Sequence, residues 1–599
     1  MEARQTPATS PAPARSHDGA DDDDEGDSEG QAPAANDGAG DGAADTRADP
    51  ATDLGADDAT AGRDLASQPA LKARPRVLLA VRERTMDRVQ HPRLASLLLA
   101  LIGLPFAAAH CGSTSDDAPP VVADAGPDGT HVDPIVCPAS QIMCSSGCID
   151  ASHDDAHCGG CETACTGGQR CIASTCQGTK IQHVVLIVQE NHTFDSYFGR
   201  YCTAAAGSNP TCTAGPACCE RAPDTEPRGA SPLVLDDVSN FAVDRNHKQE
   251  CELQQINGGK MDGFVTGSTG ADTCFGSGPS CSDAKNWAIA GAGAVGAYWS
   301  LAGTNALADR YFQPIAGGTS ANNMYFASAH FEFVDNAQVP DTIGTPVGCL
   351  QGVCASGTKV TYKGDLTIAD LLLDAGKTFA VYADGYANAK AAAPACESVP
   401  ADCPYNKFEH PVAAEACKFD ASDIPFLYYE RFSGGANIKD YGELKKDIDA
   451  GTLPNFAYVK AREFHNEHPN VSTITDGVKF VTDTLQLVSG SAYAESTLVL
   501  LTWDEGGGFF DHVAPPPSIE KDGLGAPVPY GTRVPMIAIG PFARKGSVSH
   551  VTMTHASVVR FLEFNFLGAM GQLGNNDAKV HNLGSLLDPA KTGILIPSD

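Results

Sequence analysis

Residues 183–195 read HVVLIVQENHTFD, and residues 497–508 read TLVLLTWDEGGG. Each is an unbroken apolar run that ends in oxygen-bearing side chains. An apolar run without alternation marks a strand covered on both faces, as in a parallel sheet. Open α/β sheets place their chemistry beyond the C-terminal ends of such strands. Glu190 and Asn191 leave the first run, and Asp504 and Glu505 leave the second. Together they predict an oxygen-rich pocket suited to one hard divalent cation. For one carboxylate alone, a cap at a strand-to-helix turn is the commoner role; two pairs at two strand ends favour the pocket.

Further strand runs at 378–382, 456–460 and 534–540 alternate with helical patterns at 294–307, 368–375, 478–488 and 555–566. This alternation predicts a mostly parallel central sheet with helices on both faces, an α/β/α sandwich over residues 181–599. Residues 202–290 are rich in Gly, Ser and Cys and read as loop, stapled around Cys218 and Cys219.

The N-terminal third has a different texture. Residues 1–85 are rich in Ala, Gly, Pro and Asp and carry 18 acidic against 9 basic side chains, too little apolar area to offset ordering. They read as a disordered extension, with translation expected to begin at Met86. Of the formal charge of −33, that leaves −24 on the remainder, so the body itself is acidic and no basic footprint for nucleic acid exists. A basic stretch at 86–93 followed by apolar and small residues to Ala109 reads as a secretory signal spanning 86–111. Cys111 directly after it is a candidate for lipid tethering to a membrane, although His110 is atypical there. Residues 112–134 read as a linker.

Twenty-one cysteines fit an exported protein. Eight fall within 137–176 and predict a small disulfide-rich module over 135–178. Zinc is the competing reading of the Cys158-Gly159-Gly160-Cys161 spacing. A secreted or surface-tethered bacterial protein is expected.

Six blocks in a fixed order resemble the bacterial phosphoesterase family that contains phospholipases C and acid phosphatases. They are IQHVVLIVQENHTFDSYFG (181–199), NGGKMDGF (257–264), GGTSANNMYF (317–326), NEHP (466–469), LTWDEGGGFFDHVAPP (501–516) and residues 531–563. The resemblance implies an alkaline-phosphatase-like fold and hydrolysis of a phosphoric mono- or diester, including phospholipid. It places metal ligands at Glu190, Asn191, Asp504 and Glu505, with calcium, magnesium, manganese or iron all compatible. It also implies a nucleophile at Thr319, forming a phosphoenzyme, and proton-handling or phosphoryl-binding histidines at His247 and His468. His465, Asn322, Asp423 and His512 are expected near the substrate. Two departures stand out: Ala321-Asn322-Asn323 replaces the usual Pro-Asn-Arg, and Asp423 stands where relatives often carry histidine. Asp511 and His512 admit two readings, a second metal or a pair orienting Asp504 and Glu505. Sulfate-ester hydrolysis is disfavoured because no Cys-x-Pro-x-Arg site occurs. The rival from another class is a surface binding protein that has lost activity on the same fold.

Overall fold

The computed structural model describes residues 136–166, 169–270, 280–341, 358–392 and 419–599. The expected extension, signal, linker and Cys111 lie outside the described residues, as do Cys274 and the cysteines from Cys349 to Cys417.

The central sheet has eight strands. In chain order they are β1 (His183–Gln189), β2 (Ala306–Ala308), β3 (Phe379–Ala383), β4 (Ile438–Asp440), β5 (Phe456–Lys460), β6 (Thr497–Trp503), β7 (Met536–Ile539) and β8 (Ser547–Ser549). Their spatial order is β4-β3-β5-β1-β6-β7-β2-β8. All run parallel except β7, which is antiparallel to both neighbours. Val184 through Val188 and Leu498 through Leu501 are buried regardless of which face they point to, which is why neither run alternates.

The helices used below are α1 (Phe194–Phe198), α2 (Gln249–Ile256), α3 (Ala292–Thr304), α4 (Thr319–Ser328), α5 (Ile474–Ser489) and α6 (His555–Leu567). Four of them pack as two separate pairs, α4 with α6 and α3 with α5. This is the expected sandwich. Helix α5 begins four residues before its apolar pattern, because the Thr473 side chain accepts the Asp476 amide and caps it there.

The loop reading of 202–290 is half right. Disulfides Cys202–Cys219 and Cys212–Cys218 do staple its first part. Its second part, however, contains α2 and a parallel pair of short strands, Leu233–Leu235 with Ala288–Ala290. In the cysteine-rich module, all eight thiols are paired: Cys137–Cys148, Cys144–Cys161, Cys158–Cys171 and Cys165–Cys176. Sulfurs bound to one another are not thiolate ligands, so the zinc alternative falls. Among the described residues, no helix is long and apolar enough to cross a membrane.

Candidate active site

Strands β5, β1 and β6 lie side by side and end together. Gln189 is in register with Trp503, and Val188 with Lys460. The next residue out of each central strand is therefore a carboxylate, Glu190 beside Asp504. The Asn191 amide donates to Asp504 Oδ1 at 3.1 Å, and the Glu505 amide to the same oxygen at 2.7 Å. Asn191 reaches this position through a left-handed backbone with φ +63°, a conformation Asn tolerates better than most residues. Glu505 is held by the Gly507 amide, which donates to its Oε2 at 2.6 Å.

Each of the four predicted ligands keeps one buried oxygen without a hydrogen bond: Glu190 Oε1, Asn191 Oδ1, Asp504 Oδ2 and Glu505 Oε1. Buried polar atoms are rarely left so. Burial and the neighbouring carboxylates push Asp504 up to about 7 and Glu505 well above its usual range. Of these, Glu190 Oε1 faces the Lys460 ammonium at 2.6 Å; the other three have no partner, and mutually repelling oxygens on two adjacent strand ends fit a bound hard cation, which would relieve both penalties.

The triple glycine lets this turn close. A Cβ on Gly507, whose φ is +62°, would lie 2.2 Å from the Asn191 carbonyl oxygen. Gly507→Ala is therefore expected to displace Asn191 and lower kcat/KM by about 100-fold, with weaker Mn²⁺ binding in a titration. Unchanged binding and rate would show that Asn191 does not need this turn.

His247 Nδ1 donates to the Arg245 carbonyl at 2.7 Å, which leaves Nε2 facing Glu505 Oε1 at 4.0 Å. His468 lies edge-on to it, ring centroids 5.7 Å apart, and donates through Nδ1 to the Pro469 carbonyl. Burial alone would depress His468, but Asp244, Glu463 and Glu190 outweigh it and raise it to about 9.

Thr319 opens α4. Among the described residues, nothing bonds its hydroxyl, while the backbone on either side is fixed. Glu252 of α2 accepts the Gly317 amide at 2.7 Å, and Asp335 accepts the Gly318 amide at 3.0 Å. Gln313 accepts the Gly506 amide at 2.7 Å and donates to Glu252 at 3.0 Å, so one chain of bonds ties the turn after β6 to the loop before Thr319.

Three expected substrate contacts are committed elsewhere. Asn322 donates to the Gly317 and Gly318 carbonyls and accepts the Ile315 amide; its whole amide braces that loop. The His465 ring pairs with Asp384 at 2.6 Å. His512 donates to Asp195 at 2.8 Å and to Glu220 at 2.9 Å, so neither nitrogen is left for a phosphoryl oxygen. Asp511, in turn, accepts from Arg533, which makes the pair part of an ion network with Asp195, and the ligand atoms of Asp195, Asp511 and His512 lie within 4.8 Å of one another, close enough to hold a metal ion. Burial would depress His512, but Asp195 and Glu220 raise it to about 9. A raised histidine stabilises the fold fully below its unfolded value near 6.5, and that stability is lost as pH rises through 9. The expected loss is about 3 kcal/mol at most. Melting temperature should fall from pH 6.5 to 9.5 in the wild type, and much less in His512→Gln.

Lys460 and Glu463 were not read from sequence. Lys460, at the end of β5, puts Nζ 2.6 Å from Glu190 Oε1 and 3.8 Å from Asp423 Oδ2. Glu463 is buried nearby, with Glu190 and Asp423. His555 donates to the Asp504 carbonyl at 2.7 Å and accepts from Tyr311; burial lowers it to about 3, so it is a neutral brace behind Asp504. The only signal for Lys460 was a lysine closing an otherwise apolar strand.

Residues 181–567 match the profile of the Phosphoesterase family. The chain belongs to that family. It is 26% identical over 422 residues to the non-hemolytic phospholipase C of Pseudomonas aeruginosa, covering 64% of this chain and 54% of that protein. It is also 26% identical over 427 residues to phospholipase C B of Mycobacterium tuberculosis, covering 66% and 75%. The chain thus spans about half the length of the Pseudomonas relative. Within this phosphoesterase, Glu190, Asn191, Asp504 and Glu505 sit inside the matched segment, as do Thr319, His247 and His468.

Proposed function

We propose that this phosphoesterase is a metal-dependent hydrolase of phosphoric esters, with a phospholipase C-like diester as the favoured substrate class. The observation that carries this reading is the meeting of four buried side-chain oxygens at the ends of β1 and β6, three of them without a partner and the fourth, Glu190 Oε1, facing the Lys460 ammonium. Glu190, Asn191, Asp504 and Glu505 would hold the cation, which supplies Lewis acidity and charge neutralisation for the phosphoryl group.

The chain's own residues do the rest. Thr319, free of described partners and set on a braced loop, forms the new bond to phosphorus as the ester bond to the leaving oxygen breaks. His247, whose Nδ1 is already donating, accepts the hydroxyl proton at Nε2. His468, kept protonated by its acidic neighbours, returns a proton to the leaving oxygen. Water then releases the phosphoryl group from Thr319 with the proton roles reversed. The likeness to proteins named phospholipase C favours a diester over a monoester. Seven disulfides among the described residues suit an oxidising compartment and support export, with Cys111 as the proposed tether and 181–599 as the proposed catalytic domain.

The test is hydrolysis of p-nitrophenyl phosphorylcholine and p-nitrophenyl phosphate, with and without EDTA. The reading expects chelator-sensitive turnover with the diester preferred. Preference for the monoester would move the assignment to a phosphatase, and inertness toward both would favour the binding protein.

A further inference from the structure

Glu190, Asp423 and Glu463 bring carboxylate oxygens within 4.8 Å of one another, beside the proposed cation quartet and sharing Glu190 with it. Such a triad is the kind that holds a second ion in two-metal phosphoryl-transfer sites. Here an ammonium approaches it instead. Lys460 is 2% exposed, and its Nζ lies in ion-pair contact with Glu190 and near Asp423. None of its N–H bonds is aligned on an acceptor. Glu190 Oε1 and Glu463 Oε2 are likewise buried without hydrogen bonds. A lysine buried this deeply is unusual unless paired, and this one comes from β5, the strand adjacent to β1.

We propose that Lys460 is the site's second cation, fixed in the chain at the place where a two-metal enzyme holds another ion. This inference rests on the hydrolase reading above. It gives Asp423 a purpose: in place of a phosphate-binding imidazole, the chain carries an acid that shares Lys460 with Glu190. The ammonium then presents a permanent charge toward phosphoryl oxygens beside a single exchangeable metal. A compact ammonium suits this better than a guanidinium fork, which would demand two coplanar acceptors.

The test uses EDTA-stripped, desalted full chain titrated with Mn²⁺, with free ion followed by electron paramagnetic resonance. Wild type and Lys460→Arg should each bind one equivalent. Lys460→Ala should bind a second, and its hydrolysis of p-nitrophenyl phosphorylcholine should fall about 100-fold and recover with added ethylammonium. Either the second equivalent or amine rescue supports the inference. Two equivalents in wild type overturn it, as does a Lys460→Ala protein that binds one equivalent and shows no rescue. If Lys460→Ala does not fold, Lys460→Met is read by the same two measures. Wild type that binds one Mn²⁺ yet hydrolyses nothing sinks the hydrolase reading alone, and stoichiometry still decides the role of Lys460.

Discussion

Thr319→Ala should lower kcat for p-nitrophenyl phosphorylcholine by about 10⁴-fold or more, the scale seen when a covalent nucleophile is removed. Its melting temperature should stay within about 2 °C of wild type. The two expectations come from one fact: among the described residues, the Thr319 hydroxyl has no protein partner, whereas the amides of Gly317 and Gly318 beside it are held by Glu252 and Asp335. Removing the hydroxyl deletes chemistry and leaves the brace intact. Thr319→Ser restores a hydroxyl at the same position and should recover most of the rate. If Thr319→Ala turns over like wild type, the nucleophile is elsewhere, with Ser320 next in line.

Asp504→Asn should lower activity about 10³-fold, weaken Mn²⁺ binding, and change stability with a sign that depends on the metal. Asp504 Oδ1 accepts two amides, from Asn191 and Glu505, and an asparagine oxygen can accept both. The lost charge is the one next to Glu190 and Glu505. In EDTA the substitution removes repulsion among buried carboxylates, and the melting temperature should rise. With saturating Mn²⁺, wild type gains binding energy that the variant lacks, and the order should reverse. Differential scanning calorimetry with and without metal reads both signs. A variant less stable than wild type in both conditions would mean that Asp504 is a structural carboxylate.

Much of this architecture was legible because burial on both faces erases alternation. The runs at 183–188, 456–460 and 497–503 read as buried strands, and they are β1, β5 and β6. The strand near 534–540 was equally readable, but its direction was not: an apolar run has no arrow, and β7 proves antiparallel. The helical pattern at 294–307 runs over Ala306 and Leu307, which instead begin the strand Ala306–Ala308 after the helix stops at Thr304; that strand and Ser547–Ser549 are hard to read because three residues carry no period. At the site, the four proposed ligands were readable as residues that leave strand ends. Lys460 was not, because a terminal lysine ordinarily reaches for water, and the neighbouring Glu190 and Asp423 keep this one inside. His465 and His512 were over-read for the opposite reason. Nearness in sequence to a motif says nothing about which acid claims the ring, and Asp384 and Asp195 claim these two.

The most direct measurement is anomalous diffraction from crystals of the full chain soaked in Mn²⁺. The account predicts one ion, about 2.0–2.6 Å from oxygens of Glu190, Asn191, Asp504 and Glu505. An ion bound elsewhere, or none at a concentration that supports turnover, would contradict it.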